Sequence, residues 1–139
     1  MYVIVVIGNK LGSVELAYRP GLRGTESTYS ADAVTAGAVT LMIQVALPLL
    51  ALDSTPAASC PSQTLTVLGG TNVSHSPPID HVALVLLPLL APMGVTASLE
   101  VVRRGFYPVG RGRAVLRVTP TTNVVHQLGY LCVSLCCVT

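Results

Sequence analysis

The sequence predicts an α/β (α+β) fold with the element order β-α-β-α-β-β, a mixed four-stranded sheet carrying two helices on one face. Three observations lead there. Ala46-Leu47-Pro48-Leu49-Leu50-Ala51 is answered forty residues later by Leu86-Leu87-Pro88-Leu89-Leu90-Ala91, so two helical stretches share one pattern. Each copy follows a strand signal, a loop and a helix start. Two further strand signals, Thr96 to Arg103 and Arg113 to Val118, flank a turn rich in glycine and arginine and should pair as an antiparallel hairpin. Parallel strands joined by helical crossovers wind right-handed, which lays both helices on the same side of the sheet.

Taken in order, Tyr2 to Ile7 reads as a leading strand, Gly8 to Gly12 as a turn, and Val14 to Tyr18 as a second, alternating strand stopped by Arg19-Pro20-Gly21. Leu22 to Asp32 is polar and reads as a loop. Ala33 to Leu52 is uncharged and helix-forming, with Pro48 placed to kink or end it. Asp53 to Pro61 is a proline-rich connection, and Gln63 to Leu68 a strand that Gly69-Gly70 terminate. Ser76-Pro77-Pro78-Ile79-Asp80 marks a helix start: a serine able to accept from free amides, a proline whose fixed φ suits the first turn, and a carboxylate in the positive end of the helix. That helix runs from about Ile79 to Ala91, and Met93-Gly94 close it. The module thus occupies residues 1–120, leading strand included, and residues 121–139 form a divergent apolar tail.

At 139 residues the chain is the size of one domain and long enough to bury a core. Apolar residues make up 51 % and charged residues only 10 %, well under the usual quarter, so either the chain is unusually buried or part of its surface expects a partner. The net charge of +2 hides an asymmetry: through residue 100 there are three basic residues against six acidic ones, and beyond it five arginines with no acid. A basic cluster of that kind suits phosphate, and a solvated hairpin face is the plain alternative. Cys60, Cys132, Cys136 and Cys137 form neither a zinc spacing nor a disulfide framework, which favours a reducing compartment and implies no metal site. Met1 to Ile7 lacks the basic leader and cleavage site of a signal peptide.

Four blocks carry a resemblance. Thr35-Ala36-Gly37 with Gln44, then Gly69-Gly70-Thr71-Asn72, then Pro77-Pro78-Ile79-Asp80, then Arg104-Gly105-Phe106-Tyr107-Pro108-Val109-Gly110 stand in the order and spacing of the RNA 3'-terminal phosphate cyclase family, from about Leu11 to about Pro120. The predicted module is similar to one repeat of that family's fold. The resemblance implies ATP-dependent RNA processing of the ligase class: a histidine of the enzyme is adenylated, AMP passes to an RNA 3'-phosphate, and the adjacent 2'-hydroxyl closes a 2',3'-cyclic phosphate. It implies ATP with magnesium as cofactor, RNA 3' ends as partner, neither DNA nor a membrane, and a nuclear or cytoplasmic setting.

The family's nucleophilic histidine lies beyond the matched region, and His75, His81 and His126 match no catalytic position. On the resemblance this chain is therefore a fragment with no catalytic residue of its own, inactive alone. What it retains looks like one wall of the nucleotide site. Gln44 stands at the family's helix glutamine near the ribose, Pro78 at the proline that packs on adenine, His81 in place of an aromatic residue beside it, and Asp80 at the helix start. Arg103, Arg104, Arg111 and Arg113 are the candidates for RNA phosphate, each forked guanidinium able to meet two oxygens. The family has three glycines where this chain has Gly110-Arg111-Gly112. If the central position needs a positive φ, arginine costs on the order of 1 kcal/mol there.

Two other readings stay open. One is a non-catalytic RNA-binding module using the basic hairpin. The other is a two-span membrane protein, because residues 33–52 and 81–99 are uncharged runs of spanning length. One face of the predicted sheet has no helix of its own, so another chain or module covering it would account for the apolar surplus.

Overall fold

A computed structural model describes residues 5–8, 10, 12–19, 27–52 and 62–121. Strands β1 (Val5–Ile7) and β2 (Ala17–Arg19) pair antiparallel as a two-stranded ribbon of their own. The main body follows as β3 (Thr28–Asp32), α1 (Val39–Ala51), β4 (Gln63–Gly69), a second helical run over residues 79–93, β5 (Thr96–Arg103) and β6 (Gly112–Thr119). Its four-stranded sheet has the order β3-β4-β6-β5, with β3 parallel to β4 and β6 antiparallel to both neighbours. The expected β-α-β-α-β-β module is therefore present.

Its first strand is not the one expected. Thr28–Asp32 lies in the stretch read as a polar loop, and Val14 to Tyr18 belongs instead to the separate ribbon, of which β2 takes only its last residues. The reason is that β3 is a short edge strand with only two side chains, Tyr29 and Ala31, turned toward the core between three polar ones. Such a strand carries almost no apolar signal and is recruited by its parallel pairing with β4.

The core is built on one face of the sheet. Val67 and Leu65 of β4, Ala114, Leu116 and Val118 of β6, and Val39, Ile43, Leu47 and Leu50 of α1 form a single buried cluster with Ile79, Val82 and Leu87 of the second helical run. Inward residues alternate along β4 and β6, and paired positions such as Leu65 and Leu116 share a face. Both helices therefore cover the same side. Burying a side chain such as Ile43 or Leu116 fully contributes about 1.5–3 kcal/mol.

The helices obey their prolines. Residues 33–37 form a turn rather than helix: Val34 adopts φ 63°, its amide donating to Asp32 Oδ1 at 2.7 Å, so α1 starts only at Val39. It ends one turn after Pro48, where Leu52 N–H donates to the Pro48 carbonyl and Thr121 N–H donates to that of Ala51. The second run is α2 (Ile79–His81), a π-helical turn (Val82–Leu86), α3 (Leu87–Leu90) and a 3-10 turn (Ala91–Met93). Pro88 has no amide for the α-helical ladder, and the turn before it is widened, with Leu87 N–H reaching the Val82 carbonyl. Gly94, at φ 87°, closes the run as expected.

Two sequence readings fail here. The uncharged runs do not form spanning helices: α1 has 13 residues, the second run gives way to β5, and among the described residues no helix is long and apolar enough to cross a membrane. Nor is the apolar surplus on the open sheet face, which shows mainly Thr64, Thr66, Ser98, Glu100, Arg113 and Arg117. Many of the exposed apolar side chains sit on the outer helix surfaces, Leu41, Val45 and Leu49 on α1 and Leu84, Val85 and Leu89 on the second run, with others on the β5–β6 turn, about the small ribbon (Ile7, Val14, Leu16) and on β5 (Val102). With helices on one face only, the sheet can stay polar behind while the helical layer carries the excess. Residues 53–61, residues 122–139, His126 and the four cysteines lie outside the described residues.

Candidate functional site

The functional blocks of the sequence meet at one end of the sheet, where β4 runs out and β6 begins. Both helices hang from two consecutive residues there. Val39 N–H donates to the Gly70 carbonyl at 3.0 Å, and Ile79 N–H donates to the Thr71 carbonyl at 3.0 Å. The start of α2 thus differs from expectation. Pro78 is the N-cap residue, extended at ψ 155°, and no side chain caps the helix; Ser76 Oγ turns away to donate to the Val73 carbonyl. Two prolines in succession hold the chain extended until Ile79, and a backbone carbonyl does the capping that a serine was expected to do.

The β5–β6 turn is clamped onto this junction by backbone. Thr71, only 1 % exposed, accepts from Gly105 N–H at 3.0 Å through its hydroxyl, whose proton can reach Asn72 Oδ1 at 2.9 Å or the Gly105 carbonyl at 3.1 Å. Thr71 N–H also donates to that carbonyl, at 2.8 Å. Gly105 allows this approach because a Cβ there would stand 2.3 Å from Gly112 N and 2.6 Å from the Gly69 carbonyl oxygen. At the other end of the turn, Gly110 has φ 71° and a Cβ would lie 2.8 Å from Ala36 Cα. All four sequence blocks therefore meet backbone to backbone, and at Gly105 and Gly110 a side chain would prevent it.

The arginines divide. Arg104 points back to the helix start and grips Asp80 with both guanidinium nitrogens, at 2.7 and 2.6 Å, with Asn72 Oδ1 at 3.5 Å. This pairing holds the Asp80 carboxyl below the usual carboxylate range. Arg103 donates from Nε to the Arg111 carbonyl at 2.6 Å, bracing the turn. Arg111 sits at φ 55°, so the central position of Gly110-Arg111-Gly112 does require the left-handed region. Arg113 lies on the open sheet face, and Arg117 on the same face pairs with Glu100 at 2.9 Å. The guanidiniums of Arg111 and Arg113 make no hydrogen bond or ion pair with the described residues.

Gln44 is on the exposed side of α1 and lines a groove of about 330 Å³ between the two helices, with Leu47, Pro48, Leu52, Leu86 and Leu90. Pro78, Asp80 and His81 lie outside that lining, at the start of the neighbouring helix. Pro78 and His81 are exposed and Asp80 half-exposed. His75 is an exposed loop residue at φ 63°. Among the described residues no three His, Cys, Asp or Glu side chains come together as a metal-holding group. The Asp80–Arg104 pair was not foreseen. Its members are 24 positions apart, and nothing local links them.

Comparison with known proteins gives a consistent result. The family model described as RNA 3'-terminal phosphate cyclase matches residues 4–136, past both ends of the stretch covered by the four motif blocks. The chain is similar to the RNA 3'-terminal phosphate cyclase of Metallosphaera sedula, 42 % identical over 129 residues that make up 91 % of this chain and 36 % of the relative. It is similar to that of Archaeoglobus fulgidus, 44 % identical over 126 residues, 88 % of this chain and 36 % of the relative. Against that of Drosophila melanogaster it is 40 % identical over 119 residues, 86 % of this chain and 31 % of the relative. The chain thus spans about a third of the length of the curated relatives it matches.

Proposed function

The chain belongs to the RNA 3'-terminal phosphate cyclase family, and from that premise we propose that it supplies the nucleotide ledge and part of the RNA-facing surface of such a cyclase, an ATP-consuming enzyme that turns an RNA 3'-phosphate into a 2',3'-cyclic phosphate. The observation that carries this reading is Gln44. Among the described residues it is the one polar side chain lining an otherwise apolar groove between the two helices.

That lining fits a nucleoside better than a triphosphate. Leu47, Pro48, Leu86 and Leu90 suit a flat apolar ring, and one amide can both accept from and donate to ribose hydroxyls. Pro78 offers a second rigid ring at the neighbouring helix start, and the exposed His81 imidazole stands three positions on, able to stack in place of an aromatic residue. Asp80 serves the ledge by position: bound to Arg104, it fixes the helix start to the turn and is not free to act as a base. When bound, ATP supplies an activated adenylyl group, and magnesium accompanies its phosphates. Among the described residues the groove lining offers no cation for those phosphates.

In this reading Arg103, Arg111 and Arg113 face RNA phosphate, and Arg104 contributes through Asp80. The reading takes the chain to work inside the cell, in the nucleus or cytoplasm. In this reading the adenylation step belongs to parts of the longer relatives that this chain does not match, where the resemblance puts the nucleophilic histidine, and the chain alone binds nucleotide without turning it over.

Incubation with ATP labelled in its α-phosphate tests this. The chain should bind labelled ATP reversibly and leave no label on the denatured protein, and Gln44→Ala should weaken binding about two- to twelve-fold, the worth of one hydrogen bond. A covalent adenylyl adduct would overturn the inactive reading. Unchanged ATP binding by Gln44→Ala would overturn the ledge.

A further inference from the structure

The β5–β6 turn combines two features that the nucleotide reading leaves unused. Phe106, Tyr107 and Val109 are large apolar side chains exposed to 56 %, 81 % and 59 %, on a turn whose backbone is held rigidly. Gly110 N–H donates to the Phe106 carbonyl at 2.7 Å and closes the loop, Gly105 is clamped by Thr71, and Gly110 rests on Ala36. The clamping consumes backbone groups and leaves the side chains outside. Beside them in the chain stand Arg111 and Arg113, whose guanidiniums have no partner among the described residues, and Arg103, which spends only Nε on the turn.

Aromatic rings left in water on a preorganised turn, with uncommitted guanidiniums at the end of that turn and on the adjoining strand, match the needs of one class of ligand. A single-stranded nucleic acid presents unstacked bases with apolar faces, spaced along a chain of phosphates. A duplex hides those faces. We propose that Phe106 and Tyr107 form a stacking platform for unpaired bases of a single-stranded RNA end, with Arg111 and Arg113 meeting the phosphates on either side. The inference rests on the RNA reading above for its partner. It goes further in assigning the contact to the aromatic pair and in restricting the substrate to an unpaired end. Charge favours this occupant over a protein partner: the patch is bordered by arginines, and the only acid beside them in the turn region, Asp80, is already taken by Arg104.

The test uses the full chain and a short fluorescein-labelled oligoribonucleotide bearing a 3'-phosphate, single-stranded or annealed into a blunt duplex, followed by anisotropy over a salt series. The single strand should bind more tightly than the duplex. Tyr107→Ala and Phe106→Ala should each weaken it about fivefold or more without altering the slope of log K against log salt. Arg111→Gln and Arg113→Gln should each flatten that slope by about 0.7. Tyr107→Trp should keep the affinity, and its indole, the only one in a chain without tryptophan, should be quenched on binding. All four sites are exposed, so these variants should fold.

Single-strand binding that persists unchanged in Tyr107→Ala and Phe106→Ala, with unquenched Tyr107→Trp, would overturn the platform and leave the RNA reading standing. Equal affinity for the duplex would overturn the restriction to unpaired ends. Absence of any RNA binding by the unaltered chain would overturn both this inference and the RNA reading. If the two alanine variants instead convert a self-associated chain to monomer and bind RNA as before, the patch is a protein interface and the inference fails.

Discussion

Asp80 and Arg104 meet face to face, two parallel N–H···O bonds of 2.6 and 2.7 Å joining the start of the second helical run to the base of the β5–β6 turn. The pair has a sign that can be measured. Arg104 pulls the Asp80 carboxyl below its ordinary range, so the ionised form is favoured in the folded chain. Its contribution to stability is present above the unfolded-state value and is lost as pH falls through the lowered folded value. Both side chains are nearly half exposed, so the effect is small and screened by salt. Denaturant unfolding followed from pH 7 downward should show Asp80→Asn destabilised at neutral pH, with the two curves converging in acid. Divergence in acid would refute this.

The Thr71 hydroxyl is the buried clasp between the Gly69–Asn72 loop and the turn. Thr71→Val keeps the shape and removes the acceptor, leaving the Gly105 amide without its partner. A loss of about 1–3 kcal/mol is expected in equilibrium unfolding. Thr71→Ser, which keeps the hydroxyl, should recover most of it.

Neighbouring positions in the turn should respond in opposite directions. Gly110→Ala places a Cβ against Ala36 at a positive φ and should destabilise by at least about 1–2 kcal/mol. Arg111→Gly relieves the strain of φ 55° at the cost of backbone entropy, for a net gain of up to about 1 kcal/mol seen as a higher Tm. It should also weaken RNA binding, because the same substitution removes a guanidinium.

How much of this was legible in the sequence depends on where the information lies. The repeated Leu-Pro-Leu-Leu-Ala stretches, the hairpin and the glycine punctuation are local patterns, and they located α1, β4, the second helical run, β5 and β6. Strand β3 escaped because Tyr29 and Ala31 are its only inward residues and its pairing partner is over thirty positions away. The helix start at Ile79 was legible but its cap was not, because Ser76 spends its hydroxyl on Val73, a choice made by the fold of the loop. Arginine content was visible, but its division was not. Which guanidinium is committed depends on what the glycine junction brings alongside, and Asp80 and Phe106 acquire their roles only there.

The central claim is that a nucleotide lies against the groove between the two helices. The most direct measurement is an NMR titration of the isotopically labelled chain with ATP, read at assigned backbone amides. The account predicts shifts gathered on Gln44, Leu47, Leu86 and Leu90, with Ile79 and Asp80 at the adjoining helix start, and the same shifts displaced to about two- to twelve-fold higher ATP in Gln44→Ala. Shifts confined to the open sheet face, or none at saturating ATP, would contradict it.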